Sequence, residues 1–329
     1  MTICRYFFVL GAAVVPVLAM AATPLEVIIF PGGANWPLWV GNEKGFYAAQ
    51  GLEVRITPTP NSVFQMQNLV AGKFDVASSA IDNVVAYDEE QGEAPLDRPA
   101  NLVAILGGIT GGVRLLVRPD IHSVADLKGK SLAVDAATTG YAFVLRKFLQ
   151  RGGLSDNDYT FEKMGGTAQR AEALMQGKTA GTIVVSPIDL MPIAKGYRVL
   201  GDVAEIGAYQ STLYIVRREW ARAHEAELVG FIRGTLASIA WLADPAHRDE
   251  AVAIYRKAIP QASEDGARKA WDALLGREKE GIRKDGRIDV EGTATVLKLR
   301  SEFGRPQKNL TDPSKYIDES YYLKATSRP

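Results

Sequence analysis

Short apolar runs recur along the first part of the chain, at 25–30, 52–56, 75–78, 102–106, 131–134, 159–164 and 181–185, with helically spaced stretches between them. Runs of this kind read as strands, and their alternation with helices predicts βαβ units and largely parallel sheets. After a further strand at 212–216 the pattern turns mostly helical, with helices expected over 219–243, 246–258, 264–275 and 290–303. Those late helices are expected to wrap the first α/β unit.

Several strand-to-helix junctions carry capping chemistry. Ser62-Val63-Phe64-Gln65 reads as a capping box with Ser62 at the N-cap, opening a helix that Gly72 ends. Thr138-Thr139-Gly140 opens a helix over 141–150, closed by Gly152 and Gly153, and Thr167 opens another, stopped at Gly177. Ser186-Pro187-Ile188-Asp189 puts Ser at an N-cap, Pro at N1 and Asp at N3. In an open parallel sheet the carboxyl ends of the strands face one crevice, so these helix N-termini, with their unpaired N–H groups, are expected to converge on a ligand. A single cap does no more than stop a helix fraying; the repeated placement after strands is what points to a site.

Ahead of the first strand, residues 1–22 carry one charge, Arg5, then an apolar run at 6–18 and Ala19-Met20-Ala21-Ala22. This predicts a secretory signal cleaved after Ala21. Its 13-residue apolar core falls short of the roughly 20 residues that cross a bilayer, and no second stretch of that kind is read from the pattern, so no membrane anchor is expected. Cys4, the one cysteine, precedes the cleavage site and cannot be a lipidated first residue. A free periplasmic protein is therefore expected. Removing 1–22 takes away Arg5 and no acid, leaving 37 basic against 38 acidic residues, a formal charge of −1, and no cysteine. That excludes disulfides, thiolate catalysis and cysteine-based metal sites in the mature chain. Near-neutral charge without a basic block argues against a nucleic-acid partner or an anionic membrane surface. A mature length of 307 residues suits two domains.

The segments GANWPLWVGNEKGF (33–46), GLEV (51–54), AGKFDVASS (71–79), SVADLKGK (123–130), TTGY (138–141) and LMQGK (174–178) occur in an order that resembles the periplasmic solute receptors of ABC importers for nitrate, sulfonate, taurine and thiamine-pyrimidine compounds. KYIDESYY (315–322) looks like the closing segment of the same group. The resemblance implies an α/β, type II periplasmic binding fold: two lobes joined by two crossing strands, closing over a ligand held between them. It places one discontinuous lobe at 23–113 and 211–329 and the other at 114–210, with crossings near 112–116 and 209–214. The run Gly107-Gly108-Ile109-Thr110-Gly111-Gly112 suits a hinge, since glycine accepts the backbone changes closure needs, or a tight turn. The resemblance also implies a monomeric partner of an inner-membrane ABC permease, with no cofactor.

Candidate ligand contacts follow from these positions. Asn35 and Trp36 come just after the first strand, where the resembled family contacts ligand; Trp36 offers an indole that stacks on a planar ligand or simply packs. Asn61 and Ser62 supply short polar groups at the second helix start, and Asp82 and Asn83 follow the strand ending near Ser79. Asp82 suits a ligand amino group or the positive end of its own helix. Thr138, Thr139 and Gly140 are the anion-binding candidates of the second lobe. Arg170, in the first turn of a helix, is electrostatically misplaced unless something anionic offsets it. Ser186 and Tyr209 complete the set, with capping and hinge packing as their alternatives.

Other chemistry has little support. His122, His224 and His247 are far apart and form no metal-ligand spacing, and no nucleophile elbow, phosphate loop or dinucleotide fingerprint is present. Glu89-Glu90 and Arg217-Arg218 read as solvated charges. The resembled group includes a synthase of the thiamine pyrimidine, but that branch depends on a cysteine-rich segment and a histidine that the mature chain lacks. A receptor for a small, polar, anionic organic solute is the expectation, with a neutral aminopyrimidine ligand, or an enzyme on the same scaffold, as alternatives.

Overall fold

The computed structural model describes residues 21–277 and 280–327. The expected signal segment, with Arg5, Cys4 and the apolar run, lies almost wholly outside the described residues.

In chain order the strands are β1 (Thr23–Ile29), β2 (Leu52–Pro58), β3 (Val76–Ser79), β4 (Leu102–Gly107), β5 (Ile109–Thr110), β6 (Val113–Val117), β7 (Lys130–Val134), β8 (Tyr159–Lys163), β9 (Gly181–Val185), β10 (Arg198–Asp202), β11 (Leu213–Arg217) and β12 (Gly281–Ile282). The helices are α1 (Trp36–Glu43), α2 (Ser62–Val70), α3 (Ile81–Asp88), α4 (Gly140–Arg151), α5 (Thr167–Met175), α6 (Leu190–Ala194), α7 (Arg218–Ala223), α8 (Glu225–Ala243), α9 (Arg248–Ala258), α10 (Glu264–Leu275), α11 (Val290–Phe303) and α12 (Ser320–Thr326).

Two five-stranded sheets form, ordered β2-β1-β3-β11-β4 and β10-β6-β9-β7-β8. Each has a parallel half (β2-β1-β3 and β9-β7-β8) to which returning strands add antiparallel pairs. The central strands are apolar on both faces, as in the fully buried GTIVV of β9, because helices cover both sides of such sheets. Of the late helices, α8 packs on the first sheet, α9 on α1 and α10, and α11 on α3 and α4. Helix α8, apolar and 19 residues long, has the length and hydropathy of a membrane span, but Leu228, Phe231 and Ile232 are buried against β1, β2 and β11 side chains.

The lobes are joined twice. The chain passes from β4 through β5 into β6, and returns through 209–212, where Gly111 N donates to Tyr209 O at 2.8 Å and Ser211 N to Ile109 O at 3.0 Å. Gly111 and Gly112 sit at φ 60° and 66°, a region that disfavours any side chain and that a hinge and a tight turn alike require.

Three expected elements differ. The helix expected over 219–243 breaks at His224 (φ −124°, ψ 42°) into α7 and α8. The capping box at Ser62 is replaced by an Asn61 cap, whose side chain accepts the Phe64 N–H. Gln65 instead turns inward and donates to the Ile28 and Ser78 carbonyls. After Ser186 the chain forms a turn, and only the short α6 follows, with Asp189 at its N-cap position but no side-chain capping bond.

Candidate functional site

The carboxyl ends of β1, β3, β7 and β9 meet between the sheets, as open parallel sheets require, and the space there is a small cavity of about 70 Å³. That is room for roughly five waters. Phe30 and 31–34 after β1 form one wall, facing 185–188 after β9; Asp82, Asn83, Asp135, Thr139, Gly140, Tyr141, Thr167 and Arg170 close the rest. The two lobes touch around it: a Cβ on Gly33 would meet Pro187, and one on Gly166 would meet Phe30. Ser62 N donates across to Asp135 at 3.0 Å, Gly166 N to Pro60 O at 3.2 Å, and Tyr141 Oη to Ser211 O at 2.9 Å.

Of the sequence-predicted residues, Asp82, Asn83, Thr139, Gly140, Arg170 and Ser186 line the cavity. The others do not. Trp36 is fully buried behind the β1 loop, where its ring packs on Tyr255 with centroids 4.4 Å apart and its N–H reaches Ala251 O. Asn35 holds that loop by donating to Phe30 O and Gly32 O. Asn61 is spent as the α2 cap, while Ser62 offers its backbone N–H to Asp135. Thr138 binds Glu93 through its hydroxyl. Tyr209 is buried in the crossing, its ring 6.4 Å from that of Tyr141, and burial pushes its hydroxyl pKa well up.

Arg170 is the most unusual group. Its helix turns it inward, leaving it 2% exposed, and its donors go to neutral acceptors: Thr182 Oγ1 at 3.2 Å, Gly165 O at 2.8 Å, and Thr167 Oγ1 and Ile183 O at 3.1 Å each. A guanidinium has five N–H donors, so one on Nη1 is left over. Among the described residues no carboxylate lies within ion-pair distance of it. Burial pulls its pKa down, with the nearby Asp135 offsetting part of that. A desolvated cation without a counter-anion is a costly arrangement that an acidic group in the cavity would relieve. Beside it Ser186 Oγ is buried with no hydrogen bond of full geometry, although the Asp189 carboxylate is near enough to interact with it.

Asp82 differs from its expected role. Its carboxylate is held by Arg300 and accepts the Gly140 N–H at 2.6 Å, so the N-terminus of α4 expected to hold a ligand anion already holds a protein one. The solvated-charge reading also fails at two places. Glu89 is buried and bound by Lys308, Lys315 and Tyr316, and Arg217 is buried against the Leu69 and Phe74 carbonyls. No cluster of His, Cys, Asp or Glu suited to a metal occurs among the described residues.

Sequence reading missed Phe30, Asp135, Tyr141 and Thr167 in the lining, and Arg300 behind it. Asp135 directly follows a strand and was within reach of the logic that selected Asp82. Arg300 carried no signal, since it lies inside α11, away from any strand end.

Among known structures, the periplasmic nitrate-binding protein NrtA from Synechocystis PCC 6803 superimposes with a TM-score of 0.75 at 13% identity, over 92% of this chain and 88% of that one. The ligand-binding component of an ABC-type import system from Staphylococcus aureus, solved with zinc bound, gives 0.71 at 15% identity, over 92% and 99%. In sequence, the chain is 25% identical over 232 residues to 4-amino-5-hydroxymethyl-2-methylpyrimidine phosphate synthase from Uromyces fabae, 64% of this chain, and spans 63% of that relative's length. Residues 34–248 match the family described as NMT1/THI5 like. With that match covering well over half of its length, on a two-lobed periplasmic-binding-protein fold, the chain belongs to the NMT1/THI5-like family.

Proposed function

We propose that the protein is an extracytoplasmic solute receptor that binds a small anionic organic molecule, of the sulfonate, taurine, nitrate or aromatic carboxylate class, between its lobes and delivers it to an ABC permease. The observation that carries this reading is Arg170, a buried guanidinium that lines the cavity with one N–H to spare and no counter-anion. Tyr141 and Phe30 supply apolar walls for an organic portion. The lobe boundaries near 113 and 211, export through residues 1–22, a periplasmic location, action as a monomer and the permease partner belong to the same proposal. The nitrate-binding and ABC-import neighbours support it by fold.

The synthase relative favours a second reading, in which the cavity takes a neutral aminopyrimidine or carries out its synthesis. Thermal-shift screening of the purified 23–329 chain against nitrate, taurine, alkanesulfonates, benzoates and an aminopyrimidine separates the two. A ligand at about 100 times its Kd adds roughly 2.7 kcal/mol, so a true solute raises Tm by several degrees. Shifts confined to anions support the receptor for anions. A shift by the aminopyrimidine alone, or restored growth of a strain lacking its thiamine-pyrimidine synthase, overturns it.

A further inference from the structure

The edge of the cleft where α3, α4 and α11 meet holds a buried cluster that solute binding at Arg170 does not use. Arg300 on α11 is 0% exposed and Asp82 on α3 is 2% exposed. The guanidinium grips the carboxylate with both ends, Nε to Oδ1 at 2.7 Å and Nη2 to Oδ2 at 2.8 Å. Both residues belong to the lobe built on the first sheet. Across the cleft, Asp82 Oδ2 accepts the Gly140 N–H at 2.6 Å, and Arg300 Nη2 donates to the Thr138 carbonyl at 2.7 Å. One ion pair thus makes two charge-assisted hydrogen bonds to the start of a 12-residue helix of the other lobe. Towards the surface, Lys163 with Glu93 and Lys147 with Glu302 bridge the lobes along the same edge.

The N-terminus of α4 carries about half a positive charge and unpaired N–H groups. In a receptor closed by its solute, the solute would meet that charge. Here the chain meets it with its own carboxylate, and the fit leaves no spare room: a Cβ on Gly140 would lie 2.6 Å from Asp82 Cγ and 2.7 Å from Asp82 Cβ. We infer that Asp82, fixed by Arg300, is a built-in counter-anion that latches the α4 N-terminus and closes the lobes without solute. The latch leaves a solute's acidic group only the Arg170 end of the cavity. It makes opening, rather than closing, the step that solute entry waits for.

Gly140 supplies a test that spares both lobes. In Gly140→Ala the atoms nearest the added methyl all belong to Asp82 of the opposite lobe, so alanine suits α4 itself but not the closed arrangement. The 23–329 chain is stripped of bound solute by unfolding, dialysis and refolding, and its radius of gyration is measured by small-angle X-ray scattering beside Gly140→Ala and Asp82→Asn. Circular dichroism checks that each variant is folded. The wild type is expected near 19 Å, about the value for a compact chain of this length, and Gly140→Ala measurably larger. Asp82→Asn, with its charge removed, lies between them. Equal radii for wild type and folded Gly140→Ala, or a stripped wild type that is expanded and shrinks only on adding solute, overturn the latch. Because no solute enters the comparison of stripped proteins, this failure is distinct from failure of the anionic-solute reading.

Discussion

Replacing Asp88 by asparagine should stabilise the protein at pH 8 and leave it nearly unchanged at pH 4. Asp88 ends α3, and its Oδ1 accepts the Leu102 N–H at 3.0 Å, fixing the start of β4. Among the described residues no cation lies within ion-pair distance of it. Burial pushes its pKa up to about 6, the Leu102 bond and the more distant Arg218 and Lys315 opposing that rise and Glu89 adding to it. A carboxyl raised in the folded state holds its proton there while the unfolded chain, titrating near 3.8, has lost it. Its contribution is therefore most favourable below pH 4 and is lost as pH rises through 6. Two units at 1.36 kcal/mol each make the loss at most about 3 kcal/mol. Asparagine keeps the Oδ1 acceptor and carries no charge, so Asp88→Asn should gain up to about 3 kcal/mol at pH 8 and only about half a kcal/mol at pH 4. Neighbouring Glu89 titrates the other way. Burial alone would raise it, but its bonds from Lys315, Tyr316 and Lys308 hold it down near 2, so only the difference between variant and wild type isolates Asp88. Urea unfolding at pH 4, 6 and 8 reads that difference as a shift in midpoint. Identical midpoints at pH 8, or a variant that is less stable there, would refute the reasoning.

Two further substitutions separate scaffold from cavity. Trp36→Phe removes the N–H bonded to Ala251 O, a carbonyl inside α9 that keeps its helical bond, and should cost about 1 kcal/mol for the lost hydrogen bond, read by urea unfolding, with affinity for any solute unchanged by calorimetry. Asn61→Ala removes the α2 cap and should cost about 1 kcal/mol, again with unchanged affinity; a tenfold loss of affinity in either would return that residue to the binding site.

Strand order in βαβ units was readable because each strand is a short apolar run set off by capping residues. β7 and β9 fall within a residue of where the pattern puts them, and α10 and α11 where helical spacing puts them. β10 was invisible because it is an edge strand, RVLGD, whose charges and glycine mask the period. In the site, residues directly after strands were legible because chain topology alone brings strand ends together, and Asp82, Thr139, Gly140 and Ser186 meet for that reason. Trp36 stayed open between stacking and packing because an aromatic near a strand end looks the same in sequence whether it faces the cavity or the α9 helix behind it. The partner of Asp82 could not be read at all. Arg300 is more than two hundred residues away, and only the packing of α11 against α3 and α4 brings it to the carboxylate.

The central claim is that a buried, unpaired Arg170 receives the acidic group of a small solute. Isothermal titration of wild type and Arg170→Met with the tightest-binding anion from the thermal-shift panel tests it most directly. Hydrogen bonds to charged groups contribute about 1.5–3 kcal/mol, so the variant should bind one to two powers of ten more weakly, with its fold intact by circular dichroism. Wild-type affinity in folded Arg170→Met would contradict the account.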